Sequence, residues 1–116
     1  MIIGTGTDII EIDRMQKAID RWGEDFLRHL FNEEEIAYAQ QKKFPTQHYA
    51  ARFAAKEAVY KAFGNRPTLH WKDMTIMNDK NGRPYCQMKG RQEGNKIFIS
   101  LSHTQNYAVA LAIIEE

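Results

Sequence analysis

Glu57 and Lys61 interrupt an otherwise apolar arc in the run Arg52-Phe53-Ala54-Ala55-Lys56-Glu57-Ala58-Val59-Tyr60-Lys61-Ala62-Phe63-Gly64. At about 100° per residue, Ala50, Ala51, Phe53, Ala54, Ala55, Ala58, Val59 and Ala62 share one broad helical face with these two charges, while Arg52, Lys56, Tyr60 and Phe63 fill the remaining sector. A helix docked by its alanines would carry Glu57 and Lys61 at the edge of the buried surface. Four residues apart, they are also neighbours, but an exposed pair of this kind contributes only about 0.2–0.5 kcal/mol. Desolvating each charge costs roughly several kcal/mol. Ligand binding explains the placement better than stability does, with a structural ion pair as the alternative.

A second acid stands near the start. Residues 2–12 are rich in β-branched side chains and read as a strand, in which alternation puts Ile2, Gly4, Gly6, Asp8 and Ile10 on one face. Asp8 is then an acid among small and apolar neighbours. One carboxylate on a strand and one on a helix would suit Mg²⁺, which takes one or two protein carboxylates and completes its octahedron with waters and substrate phosphates. With Lys61 alongside to neutralise phosphate charge in the transition state, the reaction class indicated is phosphoryl transfer. The run Ser100-Leu101-Ser102-His103-Thr104 raises serine hydrolysis as a competitor, but in a strand Ser102 and His103 point to opposite faces and no G-x-S-x-G elbow is present. A single histidine at a strand end is more often a structural hydrogen-bonder than a catalyst.

The surrounding elements must bring these residues together. Residues 13–22 predict a helix, with Met15, Ile19 and Trp22 apolar and Arg14, Lys17 and Arg21 forming a basic stripe; Arg28 falls in a similar direction if the helix continues. A solvated face is the plain alternative for that stripe. Asn32 reads as an N-cap, Glu33, Glu34 and Glu35 as first-turn acids with Glu35 closing a capping box, and the helix as ending near Phe44-Pro45. The acidic trio then needs no further explanation. Thr46 is placed to cap a third helix running to Gly64, which suits a left-handed C′ position. Residues 74–77, 85–88, 96–102 and 107–114 read as strands separated by turns at Asn81-Gly82, Gly94-Asn95 and Thr104-Gln105-Asn106, which predicts an antiparallel meander. The expected fold is α+β, a single domain over residues 1–116, with helices packed on one face of the sheet.

Composition narrows the partners. A chain of 116 residues, 43% hydrophobic, has room for one domain, a length that buries roughly 60–70% of its unfolded surface. With 16 basic against 15 acidic residues and a net charge of +1, the overall balance offers no case for nucleic-acid binding. Cys86 is alone, so no intramolecular disulfide forms, and the four histidines are too dispersed to indicate zinc, leaving oxygen ligands for any metal. The first residues lack a basic segment followed by an apolar one, and no stretch approaches the ~20 apolar residues of a membrane span. The expectation is a cytoplasmic protein without a membrane partner.

In order along the chain, Gly6-Thr7-Asp8-Ile9, then Arg52-Phe53-Ala54-Ala55-Lys56-Glu57-Ala58 with Lys61-Ala62-Phe63-Gly64, then Asn81-Gly82-Arg83-Pro84 and finally Ser100-Leu101-Ser102-His103-Thr104 resemble the holo-acyl-carrier-protein synthase family. The resemblance implies transfer of the phosphopantetheine arm of coenzyme A to a serine of apo acyl carrier protein, with Mg²⁺ as cofactor, adenosine 3′,5′-bisphosphate as product and fatty-acid synthesis as the use. Position by position it implies Asp8 and Glu57 as metal ligands, Glu57 and Lys61 as catalytic groups, and coenzyme A contacts from Lys43, Arg52, Lys61, Gly64, His103 and Thr104. It also implies a homotrimer with active sites between subunits, and it gives Arg14, Arg21 and Arg28 an acidic partner, the carrier. After Gly64 the chain departs from the family's second glycine-containing turn: Asn65-Arg66-Pro67 stands there, and Pro67 has no N–H to donate. Two other readings are separable. A non-enzymatic coenzyme A binder would need no carboxylate pair, and a purely structural trimer would need neither those carboxylates nor Lys61.

Overall fold

The computed structural model describes residues 1–65, 68–90 and 96–116. Among these residues, five strands and three helices follow in the order β1 (Ile2–Glu11), α1 (Ile12–Leu30), α2 (Glu33–Gln40), α3 (Pro45–Ala62), a 3-10 turn (Trp71–Asp73), β2 (Met74–Asn78), β3 (Pro84–Met88), β4 (Lys96–His103) and β5 (Tyr107–Glu115). The α+β class stands, with every strand pairing antiparallel. The single meander does not: β2 and β3 form a hairpin of their own, whereas β4 and β5 pair with the opening strand in the order β1-β5-β4. Turn signals mark hairpins but carry no information about which hairpin an N-terminal strand will join. Gly82, at φ 85°, turns the first hairpin, and Thr104 closes the second, its Oγ1 accepting the N–H groups of Asn106 and Tyr107. The turn expected at Gly94-Asn95 and the stretch Arg66-Pro67 lie outside the described residues.

Small residues decide how α3 sits on the sheet. On the inward face Gly6 lies opposite Ala112 and Asp8 opposite Ala110, with Ile99 and Leu101 on the far side of β5. A Cβ on Gly4 would lie 1.9 Å from the Ala62 carbonyl oxygen, and one on Gly6 would lie 2.0 Å from that of Ala58. Backbone touches backbone there. Two strand residues advance about 6.7 Å and four helical residues about 6 Å, so the next inward position, Asp8, comes level with the turn of α3 that runs from Ala54 to Glu57. Ala54, Ala55, Ala58, Val59 and Ala62 meet Ala110, Ala112 and Ile114 to make this half of the core.

The second half joins α1, α2 and α3 around Phe31, Leu27, Ala39 and Tyr49. Here several sequence-based boundaries move. The helix from Ile12 extends to Leu30, but Gly23, at φ 66° and ψ −146°, breaks its register midway. Helix α2 stops at Gln40 rather than near Phe44-Pro45. Phe44 takes the N-cap position of α3 with Pro45 first in the helix, so Thr46 is not the cap; its hydroxyl instead donates to Gln16 Oε1. Proline at the first helical position loses no hydrogen bond, which lets it set the start. Gly64 follows the C-terminus of α3 at φ 78°, in the left-handed region as expected.

The sector assigned to the solvent side of α3 is the larger correction. Arg52 is 2% exposed, Lys56 0% and Phe63 8%, so α3 is enclosed almost all round. Lys56 Nζ donates to Glu35 Oε1 at 2.8 Å and to the Leu30 carbonyl at 2.7 Å. Glu35, also fully buried, accepts the Asn32 N–H at 2.7 Å, as the capping box requires, and the Ile76 N–H at 2.8 Å. One member of the acidic trio is therefore a core ion rather than helix-start decoration. A helical wheel assumes one buried side; a helix wedged between a sheet and two other helices keeps solvent only along a narrow edge at Lys61.

Candidate active site

Asp8, Glu57 and Lys61 converge where β1 and α3 cross. Lys61 Nζ donates to Asp8 Oδ1 at 3.1 Å and to the Thr7 carbonyl at 3.0 Å. Its own neighbour by sequence spacing, Glu57, is not its partner. The Asp8 side chain is 13% exposed against 48% for Lys61, and Asp8 Oδ2 is buried without a hydrogen-bond partner among the described residues. A buried carboxylate oxygen left bare is costly. Burial first, and then the charge of Asp8, raise the Glu57 pKa above the ordinary 4.5, while Lys61 pulls it partly back. Two carboxylates close enough for Asp8 to oppose the ionisation of Glu57, with Asp8 Oδ2 unpartnered among the described residues, are a donor set suited to a hard divalent cation. Among the described residues no group of three or more His, Cys, Asp or Glu side chains gathers, so an ion held by these two carboxylates would complete its shell with ligands from outside the described residues.

Glu57 also opens into a cavity of about 570 Å³ lined by His29, Tyr60, Leu69, His70, Trp71 and Lys72. Its raised pKa has a measurable consequence. Between the ordinary glutamate range and that raised value the native protein holds more protons than the unfolded chain, so stability falls as pH rises through the window. Glu57→Gln removes the ionisation and should raise the melting temperature at neutral pH relative to the parent, with the difference vanishing below the ordinary glutamate range; thermal melts from about pH 4 to pH 8 check this. A melting temperature lowered equally at every pH would contradict the electrostatic account.

A second cleft, about 870 Å³, lies between the α2–α3 connection and the β4–β5 turn, and its lining includes Lys43, Phe44, His103, Thr104, Asn106 and Gln16. It brings together three of the residues expected to bind coenzyme A. Lys43 is exposed, with Nζ 5.6 Å from the Phe44 ring centre. The His103 ring lies 6.5 Å from that of His48, whose pKa is lowered by burial and then by Arg52, Lys42 and His103. Arg52 does not line the cleft: its guanidinium sits 4.1 Å over the Tyr38 ring and donates to Asn78 Oδ1 at 2.7 Å, with Nε buried and without a hydrogen-bond partner among the described residues. Gly64, exposed at the end of α3, lines neither cavity.

The basic residues of α1 divide at Gly23. Arg14 is exposed, 3.9 Å from Glu11, and Arg21 lies 5.1 Å over the exposed Trp22 ring. Arg28 pairs with Glu24 at 3.4 Å beyond the break, so the heptad projection linking it to Arg21 does not hold. Sequence reading missed Glu35 and Lys56 as a pair, and the aromatic and imidazole wall beside Glu57. The one available signal was a lysine in a helix too rich in alanine to leave a solvent side.

Fold and site together define a phosphoryl-group transferase class: the family model of the 4′-phosphopantetheinyl transferase superfamily matches residues 4–112, and the chain belongs to that superfamily. It is 42% identical over 119 residues to a holo-[acyl-carrier-protein] synthase of Protochlamydia amoebophila, covering 97% of this chain and 98% of the relative. A crystal structure of the holo-(acyl-carrier-protein) synthase of Bacillus anthracis in complex with CoA (3′,5′-ADP) superposes with TM-score 0.88 at 33% identity, covering 100% of this chain and 98% of the other. That of Neisseria meningitidis gives TM-score 0.91 at 28% identity over both full lengths. The enzyme is thus a transferase of the holo-acyl-carrier-protein synthase type, the family its motifs resemble.

Proposed function

We propose that this enzyme transfers phosphopantetheine from coenzyme A to a serine hydroxyl of an apo acyl carrier protein, releases adenosine 3′,5′-bisphosphate, requires Mg²⁺ and serves fatty-acid synthesis in the cytoplasm. The observation that carries the reading is the unpartnered Asp8 Oδ2 beside a Glu57 whose ionisation Asp8 opposes. Asp8 and Glu57 would hold the Mg²⁺, which when bound supplies charge neutralisation to a pyrophosphate. Lys61, exposed on the same crossing, binds phosphate oxygen and offsets charge that develops there. The serine oxygen attacks the phosphorus that bears the pantetheine; its proton passes to Glu57, and the P–O bond to the bridging oxygen breaks, that oxygen leaving with the nucleotide. Glu57 suits the proton's destination by its place at the same crossing as Asp8 and Lys61. Lys43, His103 and Thr104 face one cleft and would take the nucleotide end of coenzyme A, whereas Arg52 is buried over the Tyr38 ring and Gly64 follows the opposite end of α3, so neither lines that cleft within one chain.

That cleft has neither Asp8 nor Glu57 nor Lys61 in its lining. A site completed between subunits of a homotrimer would join the two halves, and the outward face of the sheet, which exposes Ile9, Phe98, Val109 and Leu111, offers the apolar surface for it. Carrier proteins of this kind are acidic, and Arg14 and Arg21 are exposed on α1 to meet one; Arg28, turned to Glu24, contributes less. Charge reversal, Arg14→Glu with Arg21→Glu, should raise KM for the carrier by about 10-fold or more, since like charges juxtaposed across an interface cost several kcal/mol, and leave KM for coenzyme A within twofold. Equal losses for both substrates would show that the stripe is not the carrier surface. The reaction itself is tested by incubating the enzyme with apo carrier, coenzyme A and Mg²⁺ and weighing the carrier by mass spectrometry. A carrier of unchanged mass would leave a coenzyme A binder instead.

A further inference from the structure

The buried Glu35–Lys56 pair touches neither cavity nor any group of the proposed chemistry, yet it occupies the residue next to Glu57. Its contacts reach four elements: Lys56 on α3 donates to Glu35 on α2 and to the Leu30 carbonyl at the end of α1, and Glu35 accepts the Ile76 N–H on β2. Both side chains are 0% exposed. Such a pair is weak grounds for stability, because apolar side chains of similar size often replace a buried ion pair without loss. What apolar packing would not supply is direction: Lys56 Nζ is held by two oxygens at 2.7 and 2.8 Å, which fixes the rotation of α3 about its own axis. Ala58 and Ala62 are held against Gly6 and Gly4 on the other side of the same helix. Glu57 lies between the two clamps.

We infer that Glu35 and Lys56 are positioning residues, an ionic clamp that sets the rotation of α3 so that the Glu57 carboxylate meets Asp8. The inference rests on the proposed role of those carboxylates. With the clamp replaced by Glu35→Leu and Lys56→Met together, the core stays filled but the rotation is no longer pinned. The expected result is a folded protein whose Mn²⁺ affinity, read by electron paramagnetic resonance on the protein without substrates, falls about 10-fold, and whose kcat falls at least as far while KM for the carrier stays within twofold. The near-isosteric pair Glu35→Gln and Lys56→Gln is measured in parallel, so that a folding defect in the apolar pair leaves a second reading of the same quantities. Mn²⁺ affinity and kcat unchanged in a folded double variant would overturn the inference and make the pair purely structural. Asp8→Ala serves as the reference: if it too binds Mn²⁺ and transfers as the parent does, the carboxylate reading itself falls, whereas loss in Asp8→Ala with no loss in the clamp variants overturns only the clamp.

Discussion

Asp8→Ala should reduce transfer by about 10³-fold or more while leaving the melting temperature within a few degrees of the parent. The activity figure follows from removing one of two carboxylates that hold a charge-neutralising ion, an effect worth several kcal/mol in the transition state. The stability expectation has a separate basis. Among the described residues Asp8 pairs with the half-exposed Lys61 alone, and such pairs contribute about 0–1 kcal/mol, while its buried Oδ2 lacks a hydrogen-bond partner there, which costs stability. Removing the side chain therefore discards a weak attraction and an unpaired oxygen together. Activity is read as the rate of mass gain on the carrier, stability by thermal melting. A variant with near-parental transfer would remove the ground for two-carboxylate metal binding.

Gly6→Ala should destabilise the fold by about 3 kcal/mol or more. The added methyl would stand 2.0 Å from the Ala58 carbonyl oxygen and 2.9 Å from the Ala62 nitrogen. These are backbone atoms of one helix, with no rotamer to move. Either α3 lifts off β1, opening the alanine core, or β1 shifts in its pairing with β5. Both routes separate Asp8 from Glu57, so whatever folded protein remains should also lose transfer. Equilibrium denaturation measures the first effect and specific activity of the folded fraction the second. Gly82→Ala is the internal contrast: no atom lies within 4 Å of its added Cβ, and only its φ of 85° is strained.

The legible parts of this chain are those whose cause is local. The alternation that put Gly4, Gly6 and Asp8 on one strand face, the asparagine and glutamate that start α2, the Asn81-Gly82 hairpin and the glycine after α3 all depend on residues within one turn or one strand of each other. The proposed set Asp8, Glu57 and Lys61 stood out for a related reason: each is a charge at a position whose neighbours are small or apolar. Boundaries failed where two local signals competed. Thr46 is a good cap in isolation, but Pro45 before it fills the first helical position at no cost and moves the start to Phe44. Arg28 fell on the line of Arg14 and Arg21 only on an unbroken wheel, which Gly23 interrupts.

By itself, then, the amino-acid order determined the α+β class, a strand face carrying Gly4, Gly6 and Asp8, and a helix that sets Glu57 and Lys61 among alanines, while the approach of that strand to that helix came from the packing. Pairing across the chain was decided only in three dimensions: β1 beside β5 rather than next to its sequence neighbour, Lys61 on Asp8 instead of Glu57, and Lys56 with Glu35 inside the core. The reason is the reach of the interactions involved. Periodicity and capping act over a few residues, whereas an ion such as Lys56 is buried because two helices and a hairpin close around it, and that enclosure is a property of the packed elements that no segment carries alone.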